Sequence, residues 1–140
     1  MSKKGPILLI EDDHHYLDVI KEALADNGVK NPVIIFNNAH DAKTYLLNTA
    51  EQPFIILCDI RMARMNGLEL RDVINDNEYL RKKSIPFLFL TAAVSQEIVN
   101  EAYDLTVQGF IPKPKTYEDL KETLKSIVGY WNTCLHPNCF

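Results

Sequence analysis

The chain has 140 residues, 46% of them apolar, so it is the length of one domain with enough apolar content for a real core. Nineteen acidic against fifteen basic residues give a net charge of −4, which argues against non-specific binding to nucleic acid or to an anionic membrane. Three cysteines are too few for a disulfide scaffold and imply a reducing, cytoplasmic setting, and no apolar run approaches the roughly 18 residues of a membrane span.

The start, MSKKGPILLIEDD, is not a signal peptide, because its apolar run Ile7-Leu8-Leu9-Ile10 leads straight into acid. That run is the first predicted strand. Leu17, Ile20 and Leu24 then recur at helical spacing, with Asp13 before the helix and Gly28 as its stop. His14 and His15 point in different directions on a helix and are expected at the surface, as is His40. Pro32–Phe36 is a second run. Asn37 or Asn38 caps a second helix carrying Ala39, Ala42 and Leu46. Phe54–Cys58 is the third run, with Cys58 expected to be buried and inert. A third helix starts near Gly67 and carries Leu70, Val73 and Ile74.

Phe87–Leu90 is the fourth run, and Ser95 caps a fourth helix with Ile98, Ala102 and Leu105. Gly109–Pro112 is the fifth run. Thr116 with Asp119 resembles a capping box for a fifth helix, whose stripe is Leu120, Leu124, Ile127, Val128 and Trp131. Four of the runs are apolar throughout, as expected for strands covered on both faces. Strand and helix alternate five times, with connections that suit right-handed crossovers. The expected fold is α/β: a doubly wound, five-stranded parallel sheet, flavodoxin-like, with strand order 2-1-3-4-5. Residues 1–133 form the expected domain. Residues 134–140 are expected to form a short tail with no output domain. Its Cys134, His136 and Cys139 have loose metal spacing but lack a fourth ligand for zinc.

Open parallel sheets bind ligands at the carboxyl ends of their strands. Glu11, Asp12 and Asp13 follow the first run, Asp59 the third, Thr91 the fourth, and Lys113 with Pro114 the fifth. Clustered carboxylates need positive charge among them. An all-oxygen set suits a hard cation such as Mg²⁺. Lys113 supplies a point charge and Thr91 a hydroxyl for phosphoryl oxygens, and an Asp can itself accept a phosphoryl group. The bland alternative is solvated surface or helix capping, which fits Asp13 best.

The pieces ILLIEDD, LCDIRMARMNGLEL, PFLFLTA and GFIPKP come in an order that resembles the receiver domain of two-component response regulators, similar to the single-domain chemotaxis regulator, from about Ile7 to Trp131. The resemblance implies that Asp59 is the phosphoacceptor. Glu11, Asp12, Asp59 and the backbone carbonyl of Arg61 would hold Mg²⁺. Thr91 and Phe110 match the switch positions, Lys113 the phosphate-contacting lysine, and Pro114 is the candidate for a cis peptide bond. The implied donor is a sensor histidine kinase or phosphotransfer protein. The implied readout is the face made by the fourth helix, fifth strand and fifth helix, which binds a downstream protein or a second copy of the chain. No DNA-binding helix-turn-helix follows, so no direct contact with nucleic acid is expected, and none with a membrane. The segment Asn75–Ser84 and the pair Tyr130-Trp131 are similar to single-domain regulators that work with phytochrome-type kinases.

Three positions depart from the pattern. Ala63 stands where a proline usually does, Arg61 is bulky and charged, and Ala93 cannot orient a water. Ala63 implies a less rigid loop after Asp59, and Arg61 with Ala93 implies slow self-dephosphorylation. Two rival functions remain: a pseudo-receiver that binds partners without turning over phosphate, and an aspartyl-phosphate phosphatase. The latter usually carries a second Asp where Arg61 stands. A dinucleotide-binding domain would need a Gly-rich turn after the first strand, which is missing.

Overall fold

The computed structural model describes residues 2–135. Its elements run β1 (Ile7–Ile10), α1 (His14–Asp26), β2 (Val33–Phe36), α2 (Ala39–Asn48), β3 (Ile55–Cys58), α3 (Gly67–Asp76), α4 (Glu78–Lys82), β4 (Phe87–Thr91), α5 (Gln96–Asp104), β5 (Gly109–Pro112) and α6 (Tyr117–Thr133). All pairings are parallel and the sheet order is β2-β1-β3-β4-β5. The doubly wound α/β fold expected from the sequence is thus the observed one.

The continuous apolar runs follow from the layering. Successive strand side chains alternate between faces. Leu8, Ile10, Ile56, Cys58, Phe87 and Phe89 meet the stripes of α2, α3, α4 and α5. Ile7, Leu9, Ile55, Leu57, Leu88 and Leu90 meet α1 and α6. With both faces covered, a central strand has no polar positions. β1, β3 and β4 are buried at every residue. β2 is as apolar as they are, yet half-buried, because an edge strand has a neighbour on one side only.

The caps explain where the helices begin. Asp13, Asn38, Asn66, Ser95 and Thr116 each accept a backbone N–H of the first turn. At Asn66 the reciprocal bond from Glu69 completes a capping box. At Thr116 the expected box is half made: Thr116 accepts from the Asp119 N–H, but the aspartate carboxylate makes no return bond. Aspartate is one methylene shorter than the glutamate that closes the box at Asn66. Gly28, at φ 76°, ends α1 in the left-handed region as its position in the sequence implied.

One helix was not legible. The segment between α3 and β4 folds into α4, a five-residue helix capped by Asn77 and anchored by buried Leu80. A single turn is too short to display a period. Two charged side chains nearby are buried. Lys83 donates to the carbonyls of Leu46 and Thr49 at 3.3 Å and lies over the Tyr79 ring. Arg71, on α3, donates through Nε to the Leu105 carbonyl and through Nη2 to the Thr106 carbonyl, both at 3.0 Å, with its guanidinium over the Phe87 ring. It ties α3 to the carboxyl end of α5, where a cation suits the helix dipole. Arg71→Met keeps the length and removes two charge-assisted donors, although the Leu105 carbonyl still accepts from the Thr106 hydroxyl and the Thr106 carbonyl from the Gln108 amide. It is expected to lower the unfolding free energy by about 2 kcal/mol, seen as an earlier urea midpoint at unchanged slope.

Candidate functional site

The carboxyl edge of the sheet gathers the residues singled out above. Glu11 follows β1 and is 4% exposed; Asp59 follows β3 and is 7% exposed; Thr91 closes β4 and is fully buried. Each is pinned by the sheet. The Glu11 N–H donates to the Phe36 carbonyl at 3.0 Å, the Asp59 N–H to the Ile10 carbonyl at 2.9 Å, and the Lys113 N–H to the Thr91 carbonyl at 2.9 Å. The strand pairings thus carry four dispersed segments to one place.

Carboxylate oxygens of Glu11, Asp12 and Asp59 lie within 4.8 Å of one another. The Lys113 ammonium sits among them, 3.1 Å from Glu11 Oε2 and 3.5 Å from Asp59 Oδ2. Asp59 Oδ1 accepts from the Ile60 N–H at 2.8 Å, and Thr91 Oγ1 from the Ala93 N–H at 3.1 Å. Two buried acids sharing one lysine leave negative charge in excess. Burial first, and the Asp59 charge second, push the Glu11 carboxyl up to about 7, against the pull of Lys113. An all-oxygen donor set with surplus negative charge fits a hard divalent cation. Cys58 beside it is inert, as expected: burial drives its thiol well above the usual range, and its Sγ donates to the Asp59 carbonyl.

Asp12, Arg61 and Ala63 line a cleft beside the acidic cluster together with Ile60, Met62 and Asn66, and the Arg61 side chain is exposed. Gly67 is required by close approach: its N–H donates to the Ile60 carbonyl at 2.8 Å, and a Cβ there would lie 2.3 Å from the Asp59 carbonyl oxygen. Phe110 is half-buried on β5, packing against the core with its ring 6.1 Å from that of Phe89.

One expectation needs revision. The Lys113–Pro114 bond is trans, since no cis peptide bond occurs among the described residues. Trans is the intrinsic preference of an X–Pro bond, and in this geometry Lys113 reaches both carboxylates with it. His136 and Cys139 lie outside the described residues, so of that trio only Cys134, a half-exposed free thiol, is placed. One neighbour of the site was missed. Tyr16, in the first turn of α1, lays its ring under Lys113, with Nζ 4.4 Å from the centroid. Tyr16, Ile20 and Leu24 share one helical stripe, and Tyr16 is its end nearest the acids, but that stripe does not by itself place a lysine against the ring.

Fold and pocket together define a flavodoxin-like α/β receiver, a signalling module rather than a typical enzyme. The chain belongs to the response regulator receiver domain family, whose model matches residues 7–125. It is similar to the chemotaxis protein CheY-3 of Vibrio cholerae, with 32% identity over 128 residues covering 91% of this chain and 94% of that one. It is also similar to the probable methanogenesis regulatory protein FilR2 of Methanothrix harundinacea, with 30% identity over 129 residues covering 89% and 82%. Among solved structures, the phosphorylated cyanobacterial phytochrome response regulator RcpA superposes with a TM-score of 0.84 at 26% identity, covering 94% of this chain and 96% of that one. Among the described residues, no helix is long and apolar enough to cross a membrane.

Proposed function

We propose that this chain is a cytoplasmic phosphorylation switch in which Asp59 accepts a phosphoryl group from the phosphohistidine of a sensor kinase or phosphotransfer protein. An Asp59 carboxylate oxygen attacks phosphorus, the P–N bond breaks, and the imidazole leaves with the electron pair. The observation that carries this reading is the Lys113 ammonium shared between Asp59 and Glu11, with the Thr91 hydroxyl closing the neighbouring strand. Glu11, Asp12, Asp59 and the Arg61 carbonyl would hold Mg²⁺, which supplies charge neutralisation for the transferring group. Lys113 and Thr91 then bind the phosphoryl oxygens, so catalysis is mainly positioning.

The new charge is read out through Phe110 on the face formed by α5, β5 and α6, which meets a downstream protein or a second copy of the chain. Residues 1–133 act as the switch domain, with 134–140 as its tail. The likeness to RcpA, named as a phytochrome response regulator, supports a donor kinase of that type. Acetyl phosphate with Mg²⁺ is expected to add about 80 Da, one phosphoryl group, to the wild type and nothing to Asp59→Asn. An unchanged wild-type mass, or a labelled variant, overturns the reading. With bulky, charged Arg61 two residues past the acceptor and no orienting group at Ala93, the label is expected to decay over minutes or longer, and faster in Arg61→Asn, followed by the same mass measurement.

A further inference from the structure

Tyr16 carries a contradiction that the rest of the core does not. It packs among the apolar residues shared by α1 and α6, and its hydroxyl is buried with no hydrogen-bond partner. It is the one such side-chain atom among the described residues. Burying a hydroxyl unpaired is unfavourable, and a phenylalanine would fill the same space without that cost. Hydrogen bonding therefore does not hold Tyr16 in place. What the side chain does contact is Lys113, whose ammonium lies 4.4 Å from the ring centroid.

An ammonium carries three N–H donors. Lys113 has Glu11 Oε2 at 3.1 Å and Asp59 Oδ2 at 3.5 Å, and the ring face lies on a further side. Its side chain is 18% exposed, so little water surrounds it. A desolvated cation over an aromatic face is held by the ring's negative quadrupole. A carboxylate in the ring's place would lower the local potential further and pull the lysine off Asp59; an aliphatic side chain would leave the ammonium free to slide toward Glu11 alone. The ring thus acts as a neutral wall that keeps the flexible lysine stem aimed at Asp59.

The geometry points to Tyr16 as a positioning residue: its ring face fixes the Lys113 ammonium beside Asp59 and so sets the rate of phosphoryl acceptance. This rests on the reading of Asp59 as the acceptor. The ring and the hydroxyl make separable contributions, so Tyr16→Phe keeps the function and Tyr16→Leu loses it.

Three measurements on the full chain test this. The first is the NMR shift of the Lys113 ε-methylene protons in metal-free protein, where the ring current moves them upfield. That shift is expected in the wild type and in Tyr16→Phe, and is lost in Tyr16→Leu. The second is the labelling rate with acetyl phosphate and Mg²⁺. It is expected to fall about tenfold in Tyr16→Leu and to stay within about twofold of wild type in Tyr16→Phe. The Phe variant is also expected to unfold at an equal or higher urea concentration, because its orphan hydroxyl is gone. Tyr16→Met is a second apolar replacement should the leucine variant fold poorly.

The inference is overturned if the wild-type methylene shift is ordinary, if the apolar variants label as fast as wild type, or if Tyr16→Phe loses as much rate as they do. A wild type that shows the upfield shift and takes no label supports the positioning of Lys113 and overturns the acceptor reading instead.

Discussion

Lys113→Met is expected to lose about 3 kcal/mol of stability at pH 8 and to slow phosphoryl acceptance by about a hundredfold. The size follows from burial. The Glu11 and Asp59 side chains are only 5% and 8% exposed, and Lys113 reaches both. Removing one partner of a buried ion pair leaves the other's desolvation uncompensated, which is far more damaging than replacing the whole pair. The loss is not the full penalty of two stranded charges, because the Ile60 N–H still serves Asp59 and the Asp13 N–H, at 3.3 Å, still serves Glu11.

The chain also has a way out at lower pH. Lys113 is a force holding the Glu11 carboxyl down, so without it that carboxyl rises above its present value of about 7 and takes up a proton more readily. The destabilisation is therefore expected to be smaller at pH 6 than at pH 8. Adding Mg²⁺ restores positive charge among the acids and should recover much of the stability by mass action. It should not recover the labelling rate, since no ammonium remains to bind the phosphoryl oxygens. Urea unfolding at two pH values with and without Mg²⁺, beside the mass-labelling rate, separates these effects. A variant as stable as wild type at pH 8 would mean that Lys113 does not neutralise the pair.

The site was legible for a reason that does not extend to all its surroundings. A parallel sheet delivers the residue after each strand to one edge, so runs of apolar residues followed by Glu11, Asp59, Thr91 and Lys113 specify a pocket without any knowledge of side-chain contacts. Caps were partly readable, because they depend on residues three apart in sequence: Ser95 and Thr116 stand where expected, while the Asn66–Glu69 box was not singled out and the Thr116–Asp119 box is half made. What failed depended on partners far along the chain. Arg71 and Lys83 look like solvated helix charges. They are buried because carbonyls 34 to 37 residues away accept from them. Tyr16 belongs to the stripe that packs α1, and nothing local says that its leading edge meets a lysine 97 positions later. The apolar content of β2 predicted full burial equally well for a central and an edge strand, since apolar content records which faces are covered and not how many neighbours the backbone has.

Metal-free protein is expected to become less stable as pH rises through the neutral range, the reverse of most carboxylate-bearing proteins. A carboxyl stabilised by a salt bridge titrates low when folded and adds stability above its unfolded pKa. Glu11 does the opposite. Its ordinary value is 4.5, and in the fold it is raised to about 7 by burial and by Asp59. Between those two values the folded chain holds a proton that the unfolded chain has released. The unfolded state then binds fewer protons, so unfolding free energy falls with increasing pH and levels off once the folded group has ionised. A displacement of this size corresponds to at most about 3 kcal/mol lost between pH 4.5 and pH 7, reduced by solvent screening of a partly open site. The urea midpoint in chelator should therefore drop from pH 5 to pH 8. Glu11→Gln, which cannot titrate, should be flatter over that window and more stable than wild type at pH 8. Mg²⁺ should act most strongly above pH 7, where the carboxylates are free of protons and competent as ligands. It should bring wild type at pH 8 back toward its stability at pH 5, while doing less for the glutamine variant. If wild type and Glu11→Gln trace parallel curves in chelator, the Glu11 carboxyl does not titrate high, and the excess negative charge assigned to this pocket is relieved elsewhere.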